Sequence, residues 1–225
     1  MTLLLDRAIN ALKWPVGIVA FMLLPAVAPL FFHQVRLLLS PQYVGLWIGL
    51  SAYIVLHQAI FRRRFFGSWL PTLEHELTHA LFAWMTLHTV GGLRLTWSKG
   101  GEIKVYGGRS NWLIVIAPYF FPTVPLAALA LHAVWPRVFA GQFDVIMGVC
   151  LGFHLIATFK ETRFEQPDLK KVGYLFSILL LPTANALGLA WVLSAVTEEP
   201  RFWQNVVVEA EGVFQYIGNL IGRSE

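Results

Sequence analysis

Charged side chains are scarce in this sequence, and their scarcity excludes an ordinary water-soluble domain. Only 13% of the 225 residues are Asp, Glu, Lys or Arg, whereas soluble domains carry about a quarter. Hydrophobic residues make up 56% of the chain, and the mean hydropathy is +0.60. We therefore expect one integral membrane domain, residues 1–225, of the all-α class. With about 20 residues per span, the length allows about six transmembrane helices.

Cysteine is almost absent as well, since Cys150 is the only one. One cysteine excludes an intrachain disulfide and a cysteine-rich metal site. The net charge is +4, but the basic residues lie between apolar runs, most densely at 62–64. We predict that they anchor the chain at the cytoplasmic face of a lipid bilayer and do not bind nucleic acid. We expect the cytoplasmic (inner) membrane of a bacterium.

Long apolar runs give the predicted organisation. Six are long enough to span a bilayer: 15–32, 42–61, 66–90, 111–135, 141–159 and 173–196. The fourth run contains Pro118, Pro122 and Pro125, so we predict that it is kinked or broken. Residues 1–14 predict a short interfacial helix and no cleaved signal peptide, and residues 201–223 predict an amphipathic helix on the membrane surface.

One segment departs from the helical pattern. Residues 91–108 read GGLRLTWSKGGEIKVYGG, in which apolar and polar side chains alternate on both sides of Lys99-Gly100-Gly101. Alternation around a glycine turn is typical of a β-hairpin. We predict a small β-hairpin after the third apolar run.

The third run contains the sequence His75-Glu76-Leu77-Thr78-His79. On a helix, His75 and His79 share a face about one turn apart, so both can bind one metal ion. A catalytic zinc has three protein ligands and an open position for water, whose pKa it lowers to about 7. Glu76, rotated roughly 100° from His75, is placed to take the proton of that water as general base. This pattern therefore predicts a Zn²⁺ metallopeptidase site.

The membrane context strengthens this prediction. An ionisable side chain at membrane depth costs at least a few kcal/mol, and such residues usually have a function. Glu74 lies in the same run as the motif, so four ionisable side chains are close together. The cluster indicates a ligand or a wet cavity, and the alternative is an interfacial helix with a polar face.

An H-E-x-x-H helix within an apolar run, followed by a glycine-flanked hairpin and further spans, resembles the site-2 protease family. These are zinc peptidases that cleave within or near the membrane. The resemblance covers residues 66–190, a metallopeptidase-like core, and implies an intramembrane endopeptidase whose substrate is a membrane-embedded or juxtamembrane peptide bond of another membrane protein or peptide. The family's third zinc ligand is an aspartate on a later span, often in an L-D-G sequence, which this chain lacks.

Three residues are candidates for the third ligand. Asp168 follows Pro167 at the start of the sixth run, resembles the family's proline-preceded aspartate, and is our predicted ligand. A carboxylate is favourable at a helix N-terminus, and the alternative role for Asp168 is that of a helix N-cap. Asp144 begins the fifth run, and His154 lies within it. His154 is a candidate ligand, a partner of a ligand or a hydrogen-bond donor to the transition state.

The position of Asp168 raises a question of topology. If the third, fourth and fifth runs all cross, Asp168 lies on the opposite side of the membrane from the arginines at 62–64. Either the fourth run does not cross fully, or His75 and His79 lie deep enough for Asp168 to reach them. Lys and Arg divide almost equally between the two sides in both arrangements, so positive-inside counting leaves the topology open.

Two further questions stay open at the level of sequence. The hairpin, residues 91–106, can pair with an unwound substrate segment by β-augmentation, or it is an ordinary extramembrane hairpin. The chain as a whole can also be a multi-span transporter or ion-binding protein, or a zinc-binding scaffold without peptidase activity. Intact Glu76 argues against the scaffold, because a site that only binds zinc has no need of that glutamate.

Overall fold

The chain forms ten α-helices and one β-hairpin in the part that the computed structural model describes: residues 1–61, 69–96, 100–108, 110–134 and 140–222. The helices are α1 Thr2–Ala11, α2 Lys13–Leu37, α3 Val44–Leu56, α4 Trp69–Met85, α5 Trp112–Ile116, α6 Thr123–His132, α7 Ala140–Glu161, α8 Pro167–Val172, α9 Tyr174–Val196 and α10 Phe202–Gly222. The strands are β1 Thr89–Thr96 and β2 Gly100–Tyr106.

Three of these helices are long and apolar enough to cross a membrane: Lys13–Leu37, Gln142–Glu161 and Tyr174–Val196. The pair Trp112–Tyr119 and Thr123–His132 would make a fourth span if the two helices are counted together. A membrane domain is therefore supported. The predicted count of about six spans is not confirmed by the described residues.

The fourth apolar run is broken, as its prolines predicted. α5 continues into a 3₁₀ turn, Ala117–Tyr119, and α6 then starts at an angle of 78° to it. Asn185 of α9 donates a hydrogen bond of 3.0 Å to the carbonyl oxygen of Tyr119. A neighbouring helix thus satisfies a backbone group freed at the break, which is how broken helices persist in membranes.

Several elements meet at one end of the helix bundle, which we call the α8 end. α8 joins the C-terminus of α7 to the N-terminus of α9. The ammonium of Lys13, at the start of α2, lies 5.3 Å from the centre of the Phe176 ring, near the start of α9. A buried apolar core also holds α5, α8 and α9 together there: Trp112, Ile116, Tyr119, Leu169, Val172 and Phe176. This core fixes the position of α8.

α4 and the residues that follow it contact the α8 end at two places. In its N-terminal half, His75 contacts Glu161, the last residue of α7. Just after its C-terminus, His88 contacts Asp6 of α1, which directly precedes α2. The 17 residues of α4 are about 25 Å long, and α4 is not among the candidate spans in the described part of the chain. Because α4 contacts the α8 end at these two places, His75 and His79 lie close to Asp168 there.

The predicted hairpin is confirmed as an antiparallel pair of strands. Its register pairs Leu93 with Ile103 and Leu95 with Gly101. Gly100 and Gly101, which the sequence assigned to the turn, belong to β2, and residues 97–99 lie outside the described residues.

The predicted C-terminal helix is also observed, as α10, and it packs against α2. Its location on a membrane surface stays a prediction.

Candidate metal centre

Three side chains converge between α4 and α8. The Nε2 atoms of His75 and His79 are 3.1 Å apart. The Oδ2 atom of Asp168 lies 3.5 Å from Nε2 of His75 and 3.3 Å from Nε2 of His79. Among the described residues these three form the one group of His, Cys, Asp and Glu side chains with metal-ligand spacing. The structure thus brings together the three predicted ligands.

The spacing of these three atoms fits a tetrahedral metal ion. Zinc binds imidazole nitrogen and carboxylate oxygen at about 2.0–2.2 Å, and two ligands of a tetrahedral ion are then about 3.3 Å apart. The three observed distances, 3.1, 3.3 and 3.5 Å, bracket that value. Two nitrogens and one oxygen are also the donor set of many catalytic zinc sites, which keep the fourth position open. The residues present therefore fit a zinc ion.

The other ring nitrogen of each histidine has its own partner. Nδ1 of His75 lies 2.6 Å from Oε2 of Glu161, and Nδ1 of His79 lies 2.7 Å from the carbonyl oxygen of Ile114. With the proton on Nδ1, each ring donates to these acceptors and directs the lone pair of Nε2 toward the cluster. Such contacts orient metal-bound histidines and raise their basicity.

A buried hydrogen-bond network continues from Ile114 to the first helix. The side-chain oxygen of Asn111, the N-cap residue of α5, accepts the backbone N–H of Ile114 at 3.1 Å. The amide nitrogen of Asn111 donates to Oδ1 of Asp6 at 2.7 Å, and both residues are 2% exposed. α1 thus holds the start of α5, whose Ile114 carbonyl contacts His79. Asp6 and Asn111 were not predicted as part of the site.

Glu76 lies next to the two histidines and against the hairpin. Its carboxylate accepts a hydrogen bond from the backbone N–H of Ile103 in β2. A Cβ atom at Gly101 would lie 2.6 Å from Cγ of Glu76 and 2.8 Å from Cγ2 of Thr72, so only glycine lets β2 pack this closely on α4. Glu76 is 7% exposed. This position is compatible with the predicted role of Glu76 as general base, which stays a prediction.

The hydrogen bond of Ile103 also defines which edge of β2 faces the site. In an antiparallel pair, the N–H and C=O of one residue both point toward the partner strand or both point away from it. Because the Ile103 N–H points to Glu76, this edge of β2 is directed away from β1 and toward α4. Regular alternation along β2 would place the N–H of Val105, two residues further along, on the same side, although the register of β1 shifts opposite it, between Val90 and Gly92.

A cavity of about 630 Å³ opens over the three converging side chains. β2 lines one side with Gly101, Ile103 and Val105, and α8 lines the other with Asp168 and Lys171. Its volume is within the range of about 300–1,000 Å³ that is usual for ligand sites. The outer edge of β2, which Glu76 covers in part at Ile103, and the candidate metal ligands therefore face the same space.

Asp168 is held in its ionised form. Its partial burial alone would raise the pKa, but hydrogen bonds from His75 and His79, when these rings carry a proton on Nε2 as well as on Nδ1, outweigh that effect and hold the pKa of Asp168 below its usual value. A carboxylate must be ionised to bind a metal, so this environment suits a ligand. The N-cap of α8 is Gln166, and the alternative of Asp168 as an N-cap is therefore wrong.

The two other candidates for the third ligand lie apart from the cluster. Asp144 and His154 both belong to α7 and are outside the group with metal-ligand spacing in the described residues. Asp144 is near the start of α7, about 25 Å along the helix from Glu161. His154 is 1% exposed and lies two turns before Glu161. The geometry favours Asp168 over both.

Sequence analysis missed Glu161 and Tyr119. Glu161 contacts His75 across 86 positions of the chain, and Tyr119, fully buried, packs edge-on against the His75 ring with the ring centres 5.3 Å apart. Neither contact could be predicted from the spacing of the two residues in the sequence, because the residues are far apart along the chain. The only hint was the presence of a carboxylate at the end of the fifth apolar run, next to Lys160.

Replacing Glu161 with Gln is expected to weaken zinc binding by about 10–100-fold, because partners of metal-bound histidines contribute about that much to affinity. The substitution keeps the size of the side chain and removes the charge that His75 faces. Zinc affinity measured by competition with a chelator checks this. Glu165→Gln, at an exposed position nearby, is the matched control. Equal affinities for the two variants would show that Glu161 does not position His75.

Comparison with known proteins agrees with the geometry. A family model described as Peptidase M50B-like, a domain of the site-2 protease family, matches residues 46–163, slightly more than half of the chain. The matched part includes α4, the hairpin and Glu161, and it ends before Asp168. Searches of the curated proteins and of the solved structures gave no match.

Proposed function

Because the chain belongs to the Peptidase M50B-like family, we propose that it is a zinc-dependent intramembrane endopeptidase. Its substrates would be membrane-embedded or juxtamembrane peptide bonds of other membrane proteins, in the cytoplasmic membrane of a bacterium. Family membership supports a membrane peptidase in general. The observation that carries the finer proposal is the convergence of His75, His79 and Asp168 at tetrahedral spacing with Glu76 beside them.

Each residue has a distinct role in this proposal. Nε2 of His75, Nε2 of His79 and Oδ2 of Asp168 would hold the zinc, which when bound polarises the peptide carbonyl and lowers the pKa of a water. Glu76 takes the proton of the attacking water and passes it to the leaving amine. Its present hydrogen bond to the N–H of Ile103 holds the carboxylate next to the cavity.

The partners of the histidines prepare the site before substrate arrives. Glu161 and the Ile114 carbonyl each fix one imidazole ring. Because the rings are already oriented, no reorganisation of the ligands is needed during the reaction, and such preorganisation is a large part of catalysis.

The part of the outer edge of β2 beyond the Ile103–Glu76 contact is the proposed binding place for substrate. A transmembrane helix hides its carbonyl groups in internal hydrogen bonds, so cleavage requires local unwinding. An unwound segment can add to the outer edge of β2 as a further strand. Its scissile bond would then lie in the cavity shared by Val105, Glu76 and Asp168.

Proline at Val105 tests this role. Val105→Pro removes an outward backbone N–H and is expected to lower cleavage at least about ten-fold, since a hydrogen bond contributes about 0.5–1.5 kcal/mol and the strand also distorts. Bound zinc should be unchanged. Val105→Thr keeps the N–H and the branched shape and should cleave normally. Loss of zinc in Val105→Pro would instead favour an ordinary structural hairpin.

Metal removal tests the proposed function as a whole. Purified protein reconstituted in bilayers with a labelled single-span membrane peptide is expected to cleave it, to lose at least about 100-fold of that activity on chelation, and to recover it with Zn²⁺. Gel analysis and mass spectrometry of the products measure this. Cleavage that resists chelation would exclude a zinc peptidase, and chelator-insensitive ion flux without cleavage would favour the transporter.

A further inference from the structure

A second cavity lies on the other face of α7, between α7 and the end of α3. It has a volume of about 500 Å³, and we call it the α3/α7 groove. Its lining is His57, Gln58, Leu155, Ile156, Phe159, Lys160 and Arg163. It shares no lining residue with the cavity over the candidate metal ligands. None of the described residues that line it carries a carboxylate.

Polarity changes along the groove in one direction. Leu155 and Phe159 are one turn apart on α7 and are 42% and 84% exposed. Ile156 and Lys160 occupy the adjacent row, and Arg163 follows the end of α7. The apolar part therefore lies toward the middle of a candidate span and the cationic part at its α8 end. A phospholipid has this same order of acyl chain and headgroup.

The cationic end of the groove is a structured site. α3 ends in a π-helical turn, His57–Phe61, a local geometry that often marks functional sites. His57 is 4% exposed, and its Nε2 atom contacts the ammonium of Lys160 across the two helices. This contact holds the side chain of Lys160 against α3 at the cationic end of the groove.

We propose that the α3/α7 groove binds an anionic phospholipid. The headgroup phosphate contacts Lys160 and Arg163, and one acyl chain lies along Leu155, Ile156 and Phe159. Two positive charges beside an apolar wall give the charge complementarity that selects an anionic lipid over a zwitterionic one. Lys160 is followed directly by Glu161, whose side chain lines the other cavity and contacts His75.

Native mass spectrometry of the purified full-length protein tests this without any assay of cleavage. Delipidated protein is titrated with phosphatidylglycerol, with phosphatidylcholine of the same acyl chains, and with glycerol phosphate. We expect phosphatidylglycerol to bind about ten-fold or more tightly than phosphatidylcholine, since each basic residue near a membrane surface adds about 1 kcal/mol. Glycerol phosphate, which lacks the acyl chains, should bind much more weakly.

The variant Lys160→Gln with Arg163→Gln is expected to lose this preference. Lys170→Gln with Arg201→Gln changes the net charge equally at exposed positions outside the groove and should keep it. If the double variant fails to fold, Arg163→Gln alone, beyond the end of α7, should reduce the preference several-fold. Equal binding of the two lipids, an equal loss in the control, or full binding of glycerol phosphate would each overturn the proposal.

Discussion

Glu76→Gln is expected to abolish cleavage while zinc stays bound. Glutamine has nearly the same shape and can still lie against Ile103 and Gly101, but it cannot accept the proton of the attacking water. General acid–base catalysis contributes about 10²–10⁴-fold, so the turnover number should fall by that factor. His75, His79 and Asp168 are untouched, and the zinc content measured by elemental analysis should equal that of the unmodified protein.

Zinc content and cleavage rate, compared across three variants, separate the proposed base from a proposed ligand and from a residue with neither role. His79→Ala should lose both zinc and cleavage, because it removes a ligand. Glu165→Gln, at an exposed carboxylate, should lose neither. Single-turnover rates with a labelled membrane peptide separate the chemical step from product release. If Glu76→Gln still cleaves at the original rate, Glu76 is not the base and the peptidase assignment is wrong.

Local spacing was sufficient to predict one half of the site. His75 and His79 share a face because they are four positions apart on a helix, and Glu76 follows from the same geometry. The alternation in residues 91–106 predicted β1 and β2, since side chains on a strand change face at each step. The prolines of the fourth run predicted its break. Each of these features depends on neighbours within about ten residues.

The other half of the site depends on contacts between distant parts of the chain. Glu161 meets His75, and Asp6 meets Asn111 across 105 positions, because the fold brings α1, α4, α5 and α7 together near the α8 end. A hydropathy run does not show whether its helix crosses the membrane or turns back. The predicted count of about six spans is therefore not confirmed by the described residues, which contain three candidate spans, or four if the bent pair is counted as one. Buried polar groups need partners, yet only the fold identifies them.

Asp168→Ala is expected to lower zinc affinity by more than about 100-fold, which is beyond the loss caused by removing a partner of a ligand. The substitution removes the one oxygen among the three proposed ligand atoms and leaves two histidines, which bind zinc weakly on their own. Asp168→Asn should lie in between, since its amide oxygen keeps the position and loses the charge. Competition with a chelator gives the affinity, and the d–d spectrum of a Co²⁺-substituted sample reports the ligand set.

Asp144→Ala is the matched control, because it removes an aspartate from the start of α7, outside the cluster with metal-ligand spacing. Its zinc affinity and Co²⁺ spectrum should be unchanged, and those of His154→Ala should be as well. Circular dichroism of all variants excludes unfolding as the cause of metal loss. If Asp144→Ala or His154→Ala loses zinc while Asp168→Ala keeps it, the ligand atoms that converge at 3.1–3.5 Å are not the metal site. The proposed mechanism would then lack its metal, since Glu76 lies beside this cluster and apart from Asp144 and His154 on α7.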